Sequence, residues 1–228
     1  MSGFEISKQH YIEKHNASLP VGITHDDFRI QKFEWVREQI QKFGAINLLD
    51  FGFGAGELIE DILGANLVEN VSGVDPSAAM RESLRVRVHN SKSIRQIEND
   101  LSSLADGSLD MMTCFNVLHH VAPANREMTT AEMMRKLKPG GRLLIWEHNP
   151  FNLATQFIVC RCEYDRDAIL IRPSELRRRF GNLVVESFEF VNISPPKFHV
   201  KRFFRTLENS FAHLPLGAQY RFTFRKPI

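Results

Sequence analysis

Cysteine is scarce: Cys114, Cys160 and Cys162 are the only three in 228 residues, an odd number with no pairing framework. That excludes a disulfide-stapled secreted domain and agrees with a reducing compartment. Long apolar runs are missing too, none approaching the ~18 residues a membrane-spanning helix needs. The opening stretch MSGFEISKQHYIEKH mixes polar and apolar residues too closely to hold the apolar centre of a secretion signal, so a cytoplasmic location is expected. No charge dominates. The 29 Lys and Arg against 27 Asp and Glu leave a net +2, too little for a chain devoted to nucleic acid. Neither a repeat of ~20–50 residues nor a Gly/Ser- or Pro-rich linker divides the chain. What remains is 43% hydrophobic and 25% charged, enough for one domain with a large core.

Thr24 followed by Asp27 has the form of a helix cap, and Phe33, Val36, Ile40 and Phe43 recur at helical spacing up to Gly44. The apolar run Ile46–Leu49 then reads as a buried strand entering the turn DFGFGAG, with a helix from near Ala55. Further strands are expected near Val71–Asp75, Ile94–Ile97, Met111–Phe115 and Leu143–Trp146, with helices after Pro76 and over Asn125–Leu137, the latter stopped by Lys138-Pro139-Gly140-Gly141. Beyond lie a helix at Pro173–Phe180, a strand at Leu183–Val191, a helical stretch at Val200–Leu214 and a strand at Tyr220–Phe224. Alternating strands and helices imply a doubly wound α/β fold with helices on both faces of a mainly parallel sheet. Residues 1–45 read as an N-terminal helical cap and 46–228 as the domain proper.

Such folds bind ligands at the carboxyl ends of their strands. After the first strand stands Asp50-Phe51-Gly52-Phe53-Gly54-Ala55-Gly56, where glycine lets the backbone turn sharply and a ligand approach it closely. Asp75 ends the second strand, where a carboxylate can accept the two hydroxyls of a ribose; the alternative is a cap of the helix after Pro76. A nicotinamide dinucleotide needs G-x-G-x-x-G, but the third glycine's place holds Glu57, whose charge would repel a pyrophosphate. With Asp50 close by, a phosphate-free nucleoside carrying an ammonium group suits the loop better.

LLDFGFGAGELIEDI, VSGVDPSAAM, ENDLSSLADGSLDMMTCFNVLHHV and LKPGGRLLIWEHNP resemble, in order and spacing, the successive motifs of class I S-adenosylmethionine-dependent methyltransferases. The resemblance covers roughly residues 46–150 and rests on the four motifs as a set. It implies a Rossmann-like, seven-stranded mixed sheet, S-adenosyl-L-methionine as cofactor and S-adenosyl-L-homocysteine as product. On this chain it places Gly52, Gly54 and Gly56 against the methionine part, with Asp50 near its amino group. It gives Asp75 the ribose hydroxyls, Asp100 and the Leu101 amide the adenine edge, and Asn116 backbone contacts near the sulfonium. Asp100 also suits an ordinary turn.

Methyl transfer asks the protein chiefly to align nucleophile, methyl carbon and sulfur, to exclude water and, for some acceptors, to remove a proton. His119 and His120, after the fourth strand, are the candidate bases, although in this family one histidine of such a pair often packs structurally. Glu147, His148 and Tyr11 are candidates for the acceptor pocket. The chain lacks the Asn/Asp-Pro-Pro-aromatic tetrad of amino-group methylation at the fourth strand, having Asn116-Val117-Leu118-His119 there, and no Pro-Cys supplies a cytosine nucleophile. No metal is expected; a site would have to draw on His119, His120 and Glu147, and Cys160 and Cys162 lack a second pair. Cys160 is expected in the interior.

Charge is divided unevenly, with a net −4 over residues 1–150 and a net +6 over 151–228. The runs Arg177-Arg178-Arg179 and Lys201, Arg202, Arg205 are either solvated helix faces or an attraction for an anionic acceptor. The expected function is methylation of a small metabolite at oxygen, nitrogen or carbon, with a looser resemblance of the later segments to a bacterial subgroup whose acceptors are mostly unassigned, some of its members accompanying sugar or natural-product biosynthesis. Two rivals are a nicotinamide-linked oxidoreductase, which Glu57 disfavours, and a module that binds the cofactor without transfer; RNA methylation is a lesser variant.

Overall fold

A computed structural model describes residues 8–193 and 210–228. Two helices, α1 (Lys8–Ser18) and α2 (His25–Phe43), precede β1 (Asn47–Phe51), and then strands and helices alternate. The series runs α3 (Glu57–Gly64), β2 (Asn70–Val74), α4 (Ala78–Val88), β3 (Ile94–Glu98), a 3-10 turn at Leu101–Ser103, β4 (Leu109–Phe115), α5 (Arg126–Lys136) and β5 (Leu137–His148). Helices α6 (Leu153–Arg161) and α7 (Pro173–Arg179) lead to the final strands β6 (Val184–Val191) and β7 (Gln219–Arg225). All strands join one sheet in the order β3-β2-β1-β4-β5-β7-β6; the first five are parallel and β7 runs antiparallel to both its neighbours.

Local chemistry sets the boundaries. Thr24 and Asp27 form a reciprocal capping box at the start of α2, and Gly44 ends that helix with φ +69°. Ser77 caps α4, Asn152 caps α6, and Pro173 opens α7, where its missing N–H costs nothing. Strands β1, β2 and β4 are buried almost end to end, whereas β3, at the sheet edge, is mostly half-exposed. Trp35, Val36 and Ile40 of α2 join Leu48, Ile59, Val71 and Trp146 on one side, while Leu49, Met112, Met133, Phe180, Tyr220 and Phe222 fill the other.

The structure departs from the sequence expectations in several places. β5 begins at Leu137, not Leu143: Leu137 pairs with Leu109, and the register then jumps to Arg142 opposite Met111, so Pro139-Gly140-Gly141 forms an irregularity within the strand. Helix α6 turns Cys160 and Phe157 outward and Val159 inward, with Cys162 buried just past its end, so Cys160 is exposed, contrary to expectation. Asp75 is not the cap of α4; Ser77 is. Most of the expected helical stretch Val200–Leu214 lies outside the described residues, as do Lys201, Arg202 and Arg205. Among the described residues no helix is long and apolar enough to cross a membrane.

Candidate functional site

Strand order reverses between β1 and β4, and a cavity of about 270 Å³ opens there at the carboxyl ends of the strands. Asp50, Gly52, Gly54, Asp75, Asn116, His120 and His148 all line it, and Tyr11, His15, His25 and Lys32 of the N-terminal helices close it from above.

The β1–α3 loop is held by main-chain bonds. Gly52 N–H donates to the carbonyl of Val74 at 2.7 Å, and Gly54 N–H to Asp75 Oδ2 at 2.8 Å. Gly52 has φ +73°, and a Cβ on it would meet Val117 Cγ2 at 2.4 Å. Gly54 has φ +52° with open space where a Cβ would stand. Asp75 Oδ1 accepts the Ser77 N–H at 2.9 Å, so its carboxylate joins the loop to the start of α4 and still has lone pairs for a ligand. Burial raises its pKa against the pull of those two amides and of Arg81.

Asp50 is buried and accepts a 2.7 Å hydrogen bond from Thr113 Oγ1. Burial pushes its carboxyl up to about 7; the Thr113 bond and Lys32 oppose this, and Asp75 adds to it. Lys32 reaches in from α2 and donates to Asn116 Oδ1. Burial brings its ammonium down to about 8 in spite of the nearby Glu147, Asp50, Asp165 and Glu57 carboxylates. Asn116 adopts φ +56°, a left-handed geometry asparagine tolerates, as its N–H bonds the Trp146 carbonyl at 2.7 Å.

The N-terminal wall is aromatic and imidazole-rich. Tyr11 lies 5.0 Å from Tyr164 between ring centroids, and His25 bridges His15 Nδ1 at 3.3 Å and Glu57 Oε2 at 2.5 Å. Burial, with His25 and Lys32 nearby, lowers His15 to about 4. Burial also raises the Tyr11 hydroxyl, helped by Asp165.

On the opposite wall, His119 Nδ1 meets Glu147 Oε2 at 2.5 Å, and Glu147 Oε1 accepts the amides of Leu118 at 2.8 Å and Val117 at 3.2 Å. Neither His119 nor Glu147 lines the cavity. That corrects the expectation for Glu147: it lies behind the pocket as a support for His119 and the β4–α5 loop, not at the acceptor. Burial would lower the His119 pKa, but the Glu147 charge and the contacts with Asp165 and Glu147 carry it up to about 9. His148 does face the cavity, lowered to about 3 by burial and by His119. His120 Nε2 lies 3.3 Å from Asp165 Oδ1, and both line the pocket.

Asp100 and Leu101 stand apart from this cavity. Asp100 caps the 3-10 turn through a 2.9 Å bond from the Ser102 N–H, and Leu101 is buried. Asn149, next to His148, spends its amide on the carbonyls of Pro215 and Gly217, a structural tie between loops. Asp165, Lys32, Tyr164, His15 and His25 escaped the sequence analysis. Tyr164 and Asp165 sit in an ordinary polar stretch, CEYDRDA, between helices, and Lys32, His15 and His25 belong to α1 and α2, where nothing in the spacing marks them.

Residues 49–145 match the family described as "Methyltransferase domain". A ubiquinone biosynthesis O-methyltransferase from Xanthomonas axonopodis pv. citri is 30% identical over 140 residues, covering 58% of this chain and 55% of that one. The protein of the same name from Dechloromonas aromatica is 26% identical over 187 residues, covering 74% and 77%. The chain spans about half the length of several of the curated relatives it matches. The solved N-methyltransferase NodS from Bradyrhizobium japonicum WM9, in complex with S-adenosyl-L-homocysteine, shares the fold with a TM-score of 0.64 at 12% identity, covering 96% of this chain and 99% of that one. The family match lies where the four motifs and the strands β1 to β5 that carry them stand, and the solved neighbour shares the fold of that sheet; the chain is similar to methyltransferases in both respects.

Proposed function

We propose that this chain transfers the methyl group of S-adenosylmethionine to a small acceptor. The observation that carries the proposal is the convergence, in one cavity, of a buried Asp50 carboxyl, the open Gly54 backbone and the half-satisfied Asp75 carboxylate. These groups fit the cofactor: Asp50 sits where an ammonium would relieve its burial, Gly54 leaves room for a chain to lie on the backbone, and Asp75 retains acceptors for two hydroxyls. Gly52 and Gly56 shape the loop, and Asn116 borders the place of the sulfonium. Asp100 and the Leu101 amide, beyond the carboxyl end of β3, would close the adenine end outside the present cavity.

When bound, the cofactor supplies an activated methyl group on a positively charged sulfur. The protein's part is alignment and exclusion of water. Tyr11, His15, Tyr164 and Phe28 roof the cavity and keep solvent out. His120 and His148, with Asp165, form the polar wall on which an acceptor hydroxyl would rest and lose its proton, and His119 is a positioning residue held by Glu147. The relatives' names and this proton-accepting wall favour oxygen as the atom methylated. Residues 1–45 act as a cap and 46–228 as the catalytic domain, working on a soluble small molecule.

The test is calorimetric titration followed by transfer of labelled methyl groups to a panel of small hydroxylated, amino and anionic acceptors. Binding of S-adenosylmethionine with transfer to a hydroxyl is expected. Binding of nicotinamide dinucleotide in its place, or cofactor binding with no transfer to any metabolite extract, would sink the proposal.

A further inference from the structure

The wall formed by His119, His120 and Asp165 has the geometry of a metal centre, and we infer that it binds a divalent transition ion of the zinc class. The argument starts from His119. It is wholly buried, its Nδ1 is engaged by Glu147 at 2.5 Å, and its Nε2 makes no hydrogen bond to any described residue. A buried imidazole nitrogen left without a partner is costly, and with Nδ1 held by Glu147 it is Nε2 that faces the wall, where a metal ion would take the place of its proton.

What it points at is a ligand set. Asp165 Oδ1 lies 3.5 Å from His119 Nε2 and 3.3 Å from His120 Nε2, and the three ligand atoms all lie within 4.8 Å of one another. Tetrahedral zinc with bonds of ~2.0–2.2 Å sets its ligand atoms ~3.4 Å apart, so two of the three edges are already at metal spacing. Two imidazoles and one carboxylate are the donor set of open catalytic zinc sites, and Glu147 behind His119 is the outer carboxylate such sites employ. The protein supplies three ligands. The fourth position faces the cavity, because His120 and Asp165 both line it.

That placement gives the ion a role in the proposed transfer, and the role, unlike the binding, rests on the methyltransferase reading. An acceptor hydroxyl at the open position would ionise near neutral pH. The O–H bond breaks with its electron pair kept on oxygen, and the proton passes to water. The oxygen then attacks the methyl carbon as the carbon–sulfur bond breaks and its pair goes to sulfur. The acceptor class is therefore one that offers a hydroxyl able to ligate a metal.

The probe is cobalt(II), titrated into the full chain after chelator treatment, with visible d–d absorption as the readout and zinc(II) as competitor. One equivalent bound, its band displaced by zinc, is expected. His120→Ala and Asp165→Asn should each weaken cobalt binding at least tenfold. Glu147→Gln, which keeps all three ligands, should weaken it by ~10–100-fold. Circular dichroism confirms folding of each variant, and calorimetry with S-adenosylmethionine tests the cofactor site separately. A folded chain that binds S-adenosylmethionine but shows no cobalt band overturns the metal site and leaves the proposed function standing. Cobalt binding that is unchanged in both His120→Ala and Asp165→Asn also overturns it, since the ion then sits elsewhere. A cobalt band lost in these variants, in a chain that binds no S-adenosylmethionine, supports the metal site and removes the proposed function.

Discussion

Asp75 shows how one side chain can serve the fold and the ligand together. From the sequence it is a ribose acceptor or a helix cap. In the structure its carboxylate accepts the amides of Gly54 and Ser77 while facing the cavity. Asp75→Ala should therefore weaken S-adenosylmethionine binding more than tenfold and also destabilise the free protein by ~1–3 kcal/mol, the cost of leaving a buried donor unpaired. Calorimetry and urea unfolding read the two effects; undiminished affinity would remove the ribose assignment. Asp50 yields a pH signature. Its folded-state pKa, raised to about 7 by burial, exceeds the ordinary carboxylate value, so the folded protein holds this proton more tightly than the unfolded chain. Stability from this group is present at low pH and is lost as pH rises from ~4 towards 7, at up to ~1.4 kcal/mol per unit. Asp50→Asn, which keeps an oxygen for Thr113, should be more stable than the wild type at pH 8 and similar to it at pH 4. A bound ammonium favours the ionised carboxylate, so wild-type cofactor affinity should fall as pH drops below 7, with Asp75 and Lys32 as the charged neighbours. Equal urea midpoints for both proteins at pH 8 would contradict this account.

Elements were legible in proportion to the sidedness of their burial. Strands β1 and β4 are buried, largely apolar runs and α2 carries a capping box, so their places followed from sequence within a residue or two. β5 was read short because Pro139-Gly140-Gly141 signals a turn, whereas here the three residues sit in a register shift, with Gly140 bonded to the Lys226 carbonyl. Helix α1 has no fully buried residue, so no apolar stripe announced it, and α6 is apolar on its outer face as well. The cofactor loop was readable because its glycines and acids lie close in sequence. The proposed metal wall was not: His119 and His120 are two of its three residues, but Asp165 arrives by tertiary folding alone. The loop also separates two kinds of glycine. At Gly52 an added Cβ meets the stiff Val117 side chain at 2.4 Å, on top of the ~1–2 kcal/mol of a left-handed residue. At Gly54 only that backbone strain applies, because the space is open. Urea unfolding should show Gly52→Ala to be the more destabilised variant, while Gly54→Ala stays folded and loses cofactor affinity because its methyl group enters the ligand's space. Equal destabilisation by the two changes would argue against the packing role of Gly52.

For the molecule as a whole, the near-neutral total hides an acidic first part and a basic last part, and much of the basic excess is already used. Arg177 lies over the rings of Phe188 and Phe222, Arg179 pairs with Glu175 and Glu127, and Arg142 and Arg225 share Glu186. These arginines fasten α7 and the β6–β7 end of the sheet, away from the cavity, so steering of an anionic acceptor draws no support from them. The cofactor cavity, in contrast, gathers carboxylates, Asp50, Asp75, Glu57 and Asp165, around the buried Lys32, while Arg29 at its edge is already paired with Asp26 and Asp61. A cationic ligand at that place relieves charge that the empty protein must hold apart, so binding should be felt throughout the cooperative fold. A ligand at one hundred times its Kd stabilises the native state by ~2.7 kcal/mol, and in a domain of this size each kcal/mol raises Tm by ~2–4 °C. Saturating S-adenosylmethionine should therefore raise the melting temperature by ~5–10 °C. Nicotinamide dinucleotide, whose pyrophosphate would meet Glu57 and Asp75, should leave it unmoved. Scanning calorimetry over a ligand series decides the matter: a shift with the dinucleotide and none with S-adenosylmethionine would mean that the carboxylates hold something other than a sulfonium nucleoside.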